Sequence, residues 1–229
     1  MPTKQEDSPE PSDDPSGLSQ GERVYEWVRK RVIDGTLKPG SRVREREVAE
    51  ELGVSRIPIR EAFPRLEAEG FLRTLPRRGA LVAPMAREDV IELFNVRASL
   101  EVLAAGLAAQ RCADGVSGEP LIAALEAAER AVDSGSGWQI ATATTDFHEV
   151  ILDIAGNTLL QSLMRPVQGR VLRLFHIASD DEDTDMHHEH RALCDAIVRG
   201  QVARAEALAL AHVEHSRAVT LPRVPVAAA

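Results

Sequence analysis

The feature that most constrains this chain is a change of hydrophobic period near residue 71. Upstream of it, apolar residues recur at helical spacing: Val24, Val28 and Val32 fall every fourth residue beside Trp27, and Gly35 ends the run. A Pro39-Gly40 turn leads to a short helix over about 44–52, with Val48, Ala49 and Leu52 apolar, which Gly53 breaks. Ser55 suits the cap of a third helix over about 56–69, with Pro58 in its first turn and Gly70 at its end. Then Phe71–Leu75 reads as a strand, Pro76–Gly79 as a turn and Ala80–Ala83 as a returning strand. Three helices followed by a small hairpin, over residues 21–84, predict a winged helix-turn-helix.

From about Arg87 onward only helical patterning remains, over 87–112, 119–133, 137–155, 157–178, 184–199 and 201–220. Gly115, Gly118, Gly135, Gly137, Gly156-Asn157, the acidic run 180–185 and Gly200 separate these segments. Long helices with short connections favour a bundle. The expected fold is therefore mainly α: an N-terminal winged helix-turn-helix plus a C-terminal all-α bundle of about six helices, residues 85–220. Residues 1–20 are rich in Pro, Ser and acidic residues and read as a disordered tail, and residues 221–229 read as a frayed C-terminus.

Charge bears on what each part meets. The net charge of −9 argues against nucleic acid at first sight. It is unevenly spread: −4 over residues 1–20, +4 over 21–84 and −9 over 85–229. A basic segment beside an acidic one suggests that the first part meets phosphate and the second does something else. The two cysteines, Cys112 and Cys194, form neither a disulfide framework nor a CxxC knuckle, which fits a reducing compartment. With no apolar run of membrane-spanning length and no signal-peptide pattern, the expectation is a cytoplasmic protein with no membrane partner.

A helix-turn-helix sets the N-terminal residues of its second helix against base edges in the major groove. Here Arg56 and Arg60 are one turn apart and share a face. Arginine pairs bidentately with guanine O6 and N7. Arg46 is placed to reach base or backbone, and Ser55 at the helix start suits a phosphate. Arg77 and Arg78 at the hairpin tip suit the minor groove or a phosphate. The same arginines also fit an ordinary solvated surface, as the alternating Arg44-Glu45-Arg46-Glu47 shows.

The stretch from Gly35 to Gly40, Arg46 through Arg56, Pro58 to Glu61, Leu66 to Gly70, and Arg78-Gly79 resembles the DNA-binding domain of the GntR family of bacterial regulators. The resemblance implies DNA contact by Arg46, Ser55, Arg56 and Arg60, with Gly79 as the wing glycine. One departure is Pro64, inside the recognition helix, where an interior proline predicts a kink near Arg60 or an early loosening.

The second half resembles the FadR-type subgroup, with the helical effector domain called FCD. Val96-Arg97 to Glu101, Phe147-His148, Ala155-Gly156-Asn157 and Glu189-His190 through Gly200 to His212 carry it. Many members hold a divalent metal on one aspartate and three histidines. The resemblance places the histidines at His148, His190 and His212, and puts Thr144 where the aspartate would stand. Asp146, two residues from His148, falls on another face of its helix. Three neutral imidazoles suit Zn²⁺ or a similar first-row ion, with a carboxylate effector supplying the missing oxygen. Arg97, Thr144, Asn157 and Arg170 are the candidates to meet such an acid. Taken singly, His148 or His212 also reads as a buried, hydrogen-bonded core histidine, while His187, His188 and His215 read as solvated.

These readings predict a transcriptional regulator, a repressor, whose affinity for a palindromic operator is set by a small organic acid in the helical domain of a homodimer. A metal-dependent hydrolase with a three-histidine site is the rival, but it lacks a placed general base and leaves the winged helix unexplained. A protein-binding winged helix is a second rival, against which Arg56 and Arg60 argue.

Overall fold

The computed structural model describes residues 17–75, 79–134, 136–178 and 184–224. Most of the expected N-terminal tail, the wing-tip residues Arg77 and Arg78, and His187's side chain lie outside the described set.

The N-terminal part begins with α1 (Gln20–Ile33), whose first turn is capped by the Ser19 side chain accepting from the Glu22 amide at 3.2 Å. Its stripe of Val24, Tyr25, Val28 and Val32 is buried. β1 (Arg42–Val43) follows, then α2 (Glu45–Leu52) and α3 (Arg56–Ala68). β2 (Leu72–Leu75) and β3 (Gly79–Val82) complete a three-stranded antiparallel sheet in the order β1-β3-β2. The two-residue β1 was not foreseen, because Arg42-Val43 is too short to show a period; pairing with Leu81 and Ala80 makes it a strand.

Gly79 joins these strands. Its φ is +82°, and a Cβ there would lie 2.5 Å from the Val43 carbonyl oxygen, so β1 can approach β3 only over a bare backbone.

The expected loosening at Pro64 does not occur; α3 runs unbroken through it. Arg60 and Pro64 are both exposed, so the hydrogen bond that a proline removes is lost on the solvent side of the helix. The buried Ile59, Ala62, Phe63 and Leu66 on either side hold both turns against the core.

The C-terminal part comprises α4 (Arg87–Ala113), α5 (Glu119–Ser134), α6 (Gly137–Ala155), α7 (Thr158–Ala178), α8 (Thr184–Val198) and α9 (Val202–Thr220). The helix α4 is the hub, touching α6, α7, α8 and α9. Its buried Ala104, Ala105, Ala108 and Ala109 let these neighbours come close. Residues expected to fray are ordered at 221–224: Leu221–Arg223 form a 3-10 turn whose Leu221 carbonyl accepts from Arg87 at 2.7 Å, and Val224 is buried.

The two parts share a seam along α7. The Arg170 Nε donates to the Glu69 carbonyl at 2.8 Å, just past the end of α3. Its guanidinium lies over Gly70, where a Cβ would come within 2.5 Å of it. The Arg173 Nη2 donates to the Ala83 carbonyl, beyond β3, at 2.6 Å. Leu172 packs into the N-terminal core, as does Ala141 of α6.

Candidate DNA-reading face and effector cavity

The first turn of α3 projects from the N-terminal part. Ser55, Arg56, Ile57 and Arg60 are exposed, while Pro58 and Ile59 anchor the turn inside. Ser55 is the N-cap in extended conformation, and its side chain makes no capping hydrogen bond, which leaves the hydroxyl for an outside partner. Arg46 sits on α2 beside this turn. In the free protein it pairs with Glu50 at 3.0 Å, and Arg60 pairs with Glu45 at 3.6 Å, both at the surface. Exposed pairs of this kind are worth about 0–1 kcal/mol, so neither arginine is firmly held by its carboxylate. Ile57 is 69% exposed, a large apolar side chain left in water between the two arginines. Sequence reading passed over it because an isoleucine in a helix is ordinarily assigned to the core.

In the C-terminal part, α6, α8 and α9 bring His148, His190 and His212 together. One ring nitrogen from each lies within 4.8 Å of the others. The Nε2 atoms of His190 and His212 are 3.3 Å apart, and the His148 and His212 rings stack at 5.3 Å. The Nδ1 of His212 meets Glu189 Oε2 at 2.9 Å, and the other oxygen of that carboxylate meets His215 Nδ1 at 2.7 Å. Glu189 thereby claims the Nδ1–H of His212 and leaves its Nε2 lone pair facing inward. His215, read from sequence as solvated, is thus only half-exposed and tied to this carboxylate.

His148 and His212 line a small cavity of about 20 Å³, with Ile151, Met164 and Leu193 on its apolar wall. Burial pushes the His148 pKa down to about 3, with His212 and Arg97 adding to the effect and Glu101 opposing it. The ring is therefore neutral at physiological pH, the state that ligates metals.

Glu101, from α4, also lines the cavity. Burial alone raises its pKa, but the charge and hydrogen bond of Arg97 outweigh that and hold the carboxyl below the usual range. Its partner Arg97 is fully buried and donates through Nε at 2.6 Å. A further contact of Arg97 runs to the Ser216 hydroxyl at 3.3 Å, and its guanidinium lies over Phe94.

The sequence-expected effector contacts are scattered. Arg97 stands behind Glu101 and is already engaged by it. Thr144 is buried on α6 one turn before His148, but it does not line the cavity. Asn157 is exposed and caps α7 by accepting from the Leu160 amide at 3.1 Å. Arg170 is in the seam between the two parts. Asp146 is exposed and outside the histidine cluster, as helical spacing required.

Residues 20–82 match the description "Bacterial regulatory proteins, gntR family", and residues 92–215 match the FCD domain, more than half of the chain. The chain belongs to the GntR family of bacterial transcriptional regulators. It is 31% identical over 196 residues to the uncharacterized HTH-type transcriptional regulator YdhC of Bacillus subtilis (strain 168), covering 84% of this chain and 87% of that one. It is 31% identical over 192 residues to the probable D-xylose utilization operon transcriptional repressor of Paenarthrobacter nicotinovorans, covering 83% and 84%. The crystal structure of a transcriptional regulator GntR from Rhodococcus sp. RHA1 superposes with a TM-score of 0.75 at 25% identity, covering 91% of this chain and all of that one.

This GntR regulator thus combines a DNA-binding winged helix with an FCD effector domain, and its relatives are regulators rather than enzymes. Among the described residues no helix is long and apolar enough to cross a membrane. The histidine cluster of the FCD domain fits a metal ion. Two ligands about 2.1 Å from a tetrahedral ion stand roughly 3.4 Å apart, and the Nε2 atoms of His190 and His212 stand at 3.3 Å.

Proposed function

We propose that this regulator is a homodimeric repressor that reads a palindromic operator and leaves it when a small organic acid enters the FCD cavity. Arg56 and Arg60 read bases, Arg46 and Ser55 hold phosphate or base edges, and the wing at Arg77, Arg78 and Gly79 grips the neighbouring groove. His148, His190 and His212 hold a divalent ion of the zinc type, which offers the acid a Lewis-acidic centre in a largely apolar cavity. The cluster of three imidazoles inside an effector domain is the observation that carries this reading.

Two features support the rest. Val96 and Leu103 are exposed two turns apart on α4, at 43% and 47%, an apolar strip suited to a second copy. The helix α7 lines the cavity with Met164 and holds the winged helix with Arg170 and Arg173, so a shift of α7 on effector entry moves the recognition helix directly. By linkage, operator and effector weaken each other by the same factor.

The experiment is to select duplexes from a random pool with the zinc-loaded protein. Small carboxylic acids are then titrated into the selected complex, and binding is followed by fluorescence anisotropy. Release by an acid in the wild type, lost in His190→Ala, supports the reading. Operator binding insensitive to every acid, alongside metal content equal in wild type and His190→Ala, overturns its sensing half.

A further inference from the structure

The metal reading leaves a charge problem. Three neutral imidazoles bring no negative charge to a dication, and a dication in a low-dielectric cavity is strongly disfavoured without one. Thr144, buried one turn before His148, offers at most a neutral hydroxyl. Three acids lie near enough to consider. Asp146 is exposed and outside the cluster. Glu189 spends its two oxygens on the Nδ1 atoms of His212 and His215, on the far side of the His212 ring from the Nε2 that faces His190. Among the described residues lining the cavity, Glu101 is the only one with a carboxylate.

Resting on that metal reading, we infer that Glu101, whose carboxylate lies on the cavity wall outside the 4.8 Å group of imidazole nitrogens, supplies through a bound water the anionic partner that position 144 lacks. It comes from α4, which packs against both α6 and α9, the helices that carry His148 and His212. Arg97 does not exhaust it. Oε1 takes the short contact at 2.6 Å, whereas Oε2 is 3.4 Å from Nη2, so the carboxylate keeps lone pairs free. Arg97 then serves as the positioning residue that orients Glu101, much as Glu189 orients His212. A site that moves its carboxylate from the helix of the first histidine to α4 also changes which side of the ion stays open to the effector.

The test uses full-length protein stripped of metal and titrated with Zn²⁺ against a chromophoric chelator. The visible spectrum of the Co²⁺ form reports the ligand set independently of DNA binding. Glu101→Gln keeps a hydrogen-bond acceptor for Arg97, and it is expected to lower Zn²⁺ affinity at least tenfold and change the Co²⁺ spectrum. Adding Thr144→Asp to that variant is expected to recover most of the loss, while Thr144→Asp alone gains little. Should Glu101→Gln fail to fold, the wild-type protein still decides: Zn²⁺ must shift a carboxylate stretch in the infrared difference spectrum, and no such shift overturns the inference. Unchanged affinity and spectrum in a folded Glu101→Gln protein, or a gain of a hundredfold or more from Thr144→Asp alone, also overturn it while leaving the three-histidine site standing. Absence of stoichiometric Zn²⁺ binding in the wild type overturns both.

Discussion

Glu189 and His212 are joined by a 2.9 Å contact between Oε2 and Nδ1, and this fixes which nitrogen of the imidazole faces the cavity. Carboxylates in this position orient the ring and raise its basicity, and their loss costs about 10–100-fold in metal affinity. Glu189→Gln is therefore expected to weaken Zn²⁺ binding by about that factor while leaving the cavity walls intact. Isothermal titration of the metal-free protein measures it, and an unchanged affinity removes Glu189 from the site.

Arg170 carries the most direct link between the effector domain and the recognition helix. Arg170→Ala removes one hydrogen bond to the Glu69 carbonyl, worth about 0.5–1.5 kcal/mol. Urea unfolding is expected to show a loss of that size. The larger consequence is in coupling: operator affinity without effector should change little, while the fold-change on adding effector should shrink. Equal effector response in variant and wild type would show that the signal takes another route.

Arg56 and Arg60 project from the same face of α3, one turn apart, and the two sites should respond to substitution alike. Replacement of either by Ala is expected to reduce affinity for the selected operator by about 1–3 kcal/mol and to relax the preference at one base pair. Arg46→Ala, if Arg46 meets phosphate, should instead weaken all duplexes evenly and reduce the slope of affinity against salt by about one. Anisotropy titrations over a range of salt separate these two behaviours. A full-affinity, fully specific Arg56→Ala protein would end the base-reading assignment.

The single tyrosine of the chain gives a pH prediction that reads the same region. Tyr25 donates its hydroxyl to Glu69 Oε2 at 2.5 Å, and its pKa is pushed up to about 12. Burial is the main cause, with the Glu69 hydrogen bond and charge adding to it against Arg29 and Arg65. The fold retains a proton that the unfolded chain releases above about pH 10. Stability linked to Tyr25 is thus fully present below about pH 10 and is lost as pH rises towards about 12. Tyrosinate absorbance should titrate near 12 in the native protein and near 10 in denaturant, and Tyr25→Phe should flatten the alkaline loss of stability.

Much of this was legible along the chain because the signals are local. The Val24, Val28 and Val32 spacing, the glycines at 53, 70, 156 and 200, and the change of period after Gly70 report backbone preferences within a few residues. They placed the α-helices of the described residues and the hairpin to within a residue or two of their bounds. At Pro64 the early loosening does not follow, since a local rule prices a lost hydrogen bond but cannot see that Pro64 sits on the exposed face while Phe63 and Leu66 are clamped below.

The residues around the cavity divide on the same line. His148, His190 and His212 were legible as a triple from their resemblance, whereas Arg170 and Asn157 were expected at the cavity and lie elsewhere. Glu101 and Glu189 went unassigned because a Glu beside an Arg or a His in a helix looks like surface charge until three other helices close over it. The sequence by itself determined where helices and strands form and which arginines lead the recognition helix, for these depend on neighbours a turn or two away. Only the tertiary structure decided which carboxylate meets which imidazole and that α7 bridges cavity and winged helix, because those contacts join different helices, 23 positions apart for Glu189 and His212 and 101 for Glu69 and Arg170, and exist only once the helices have packed.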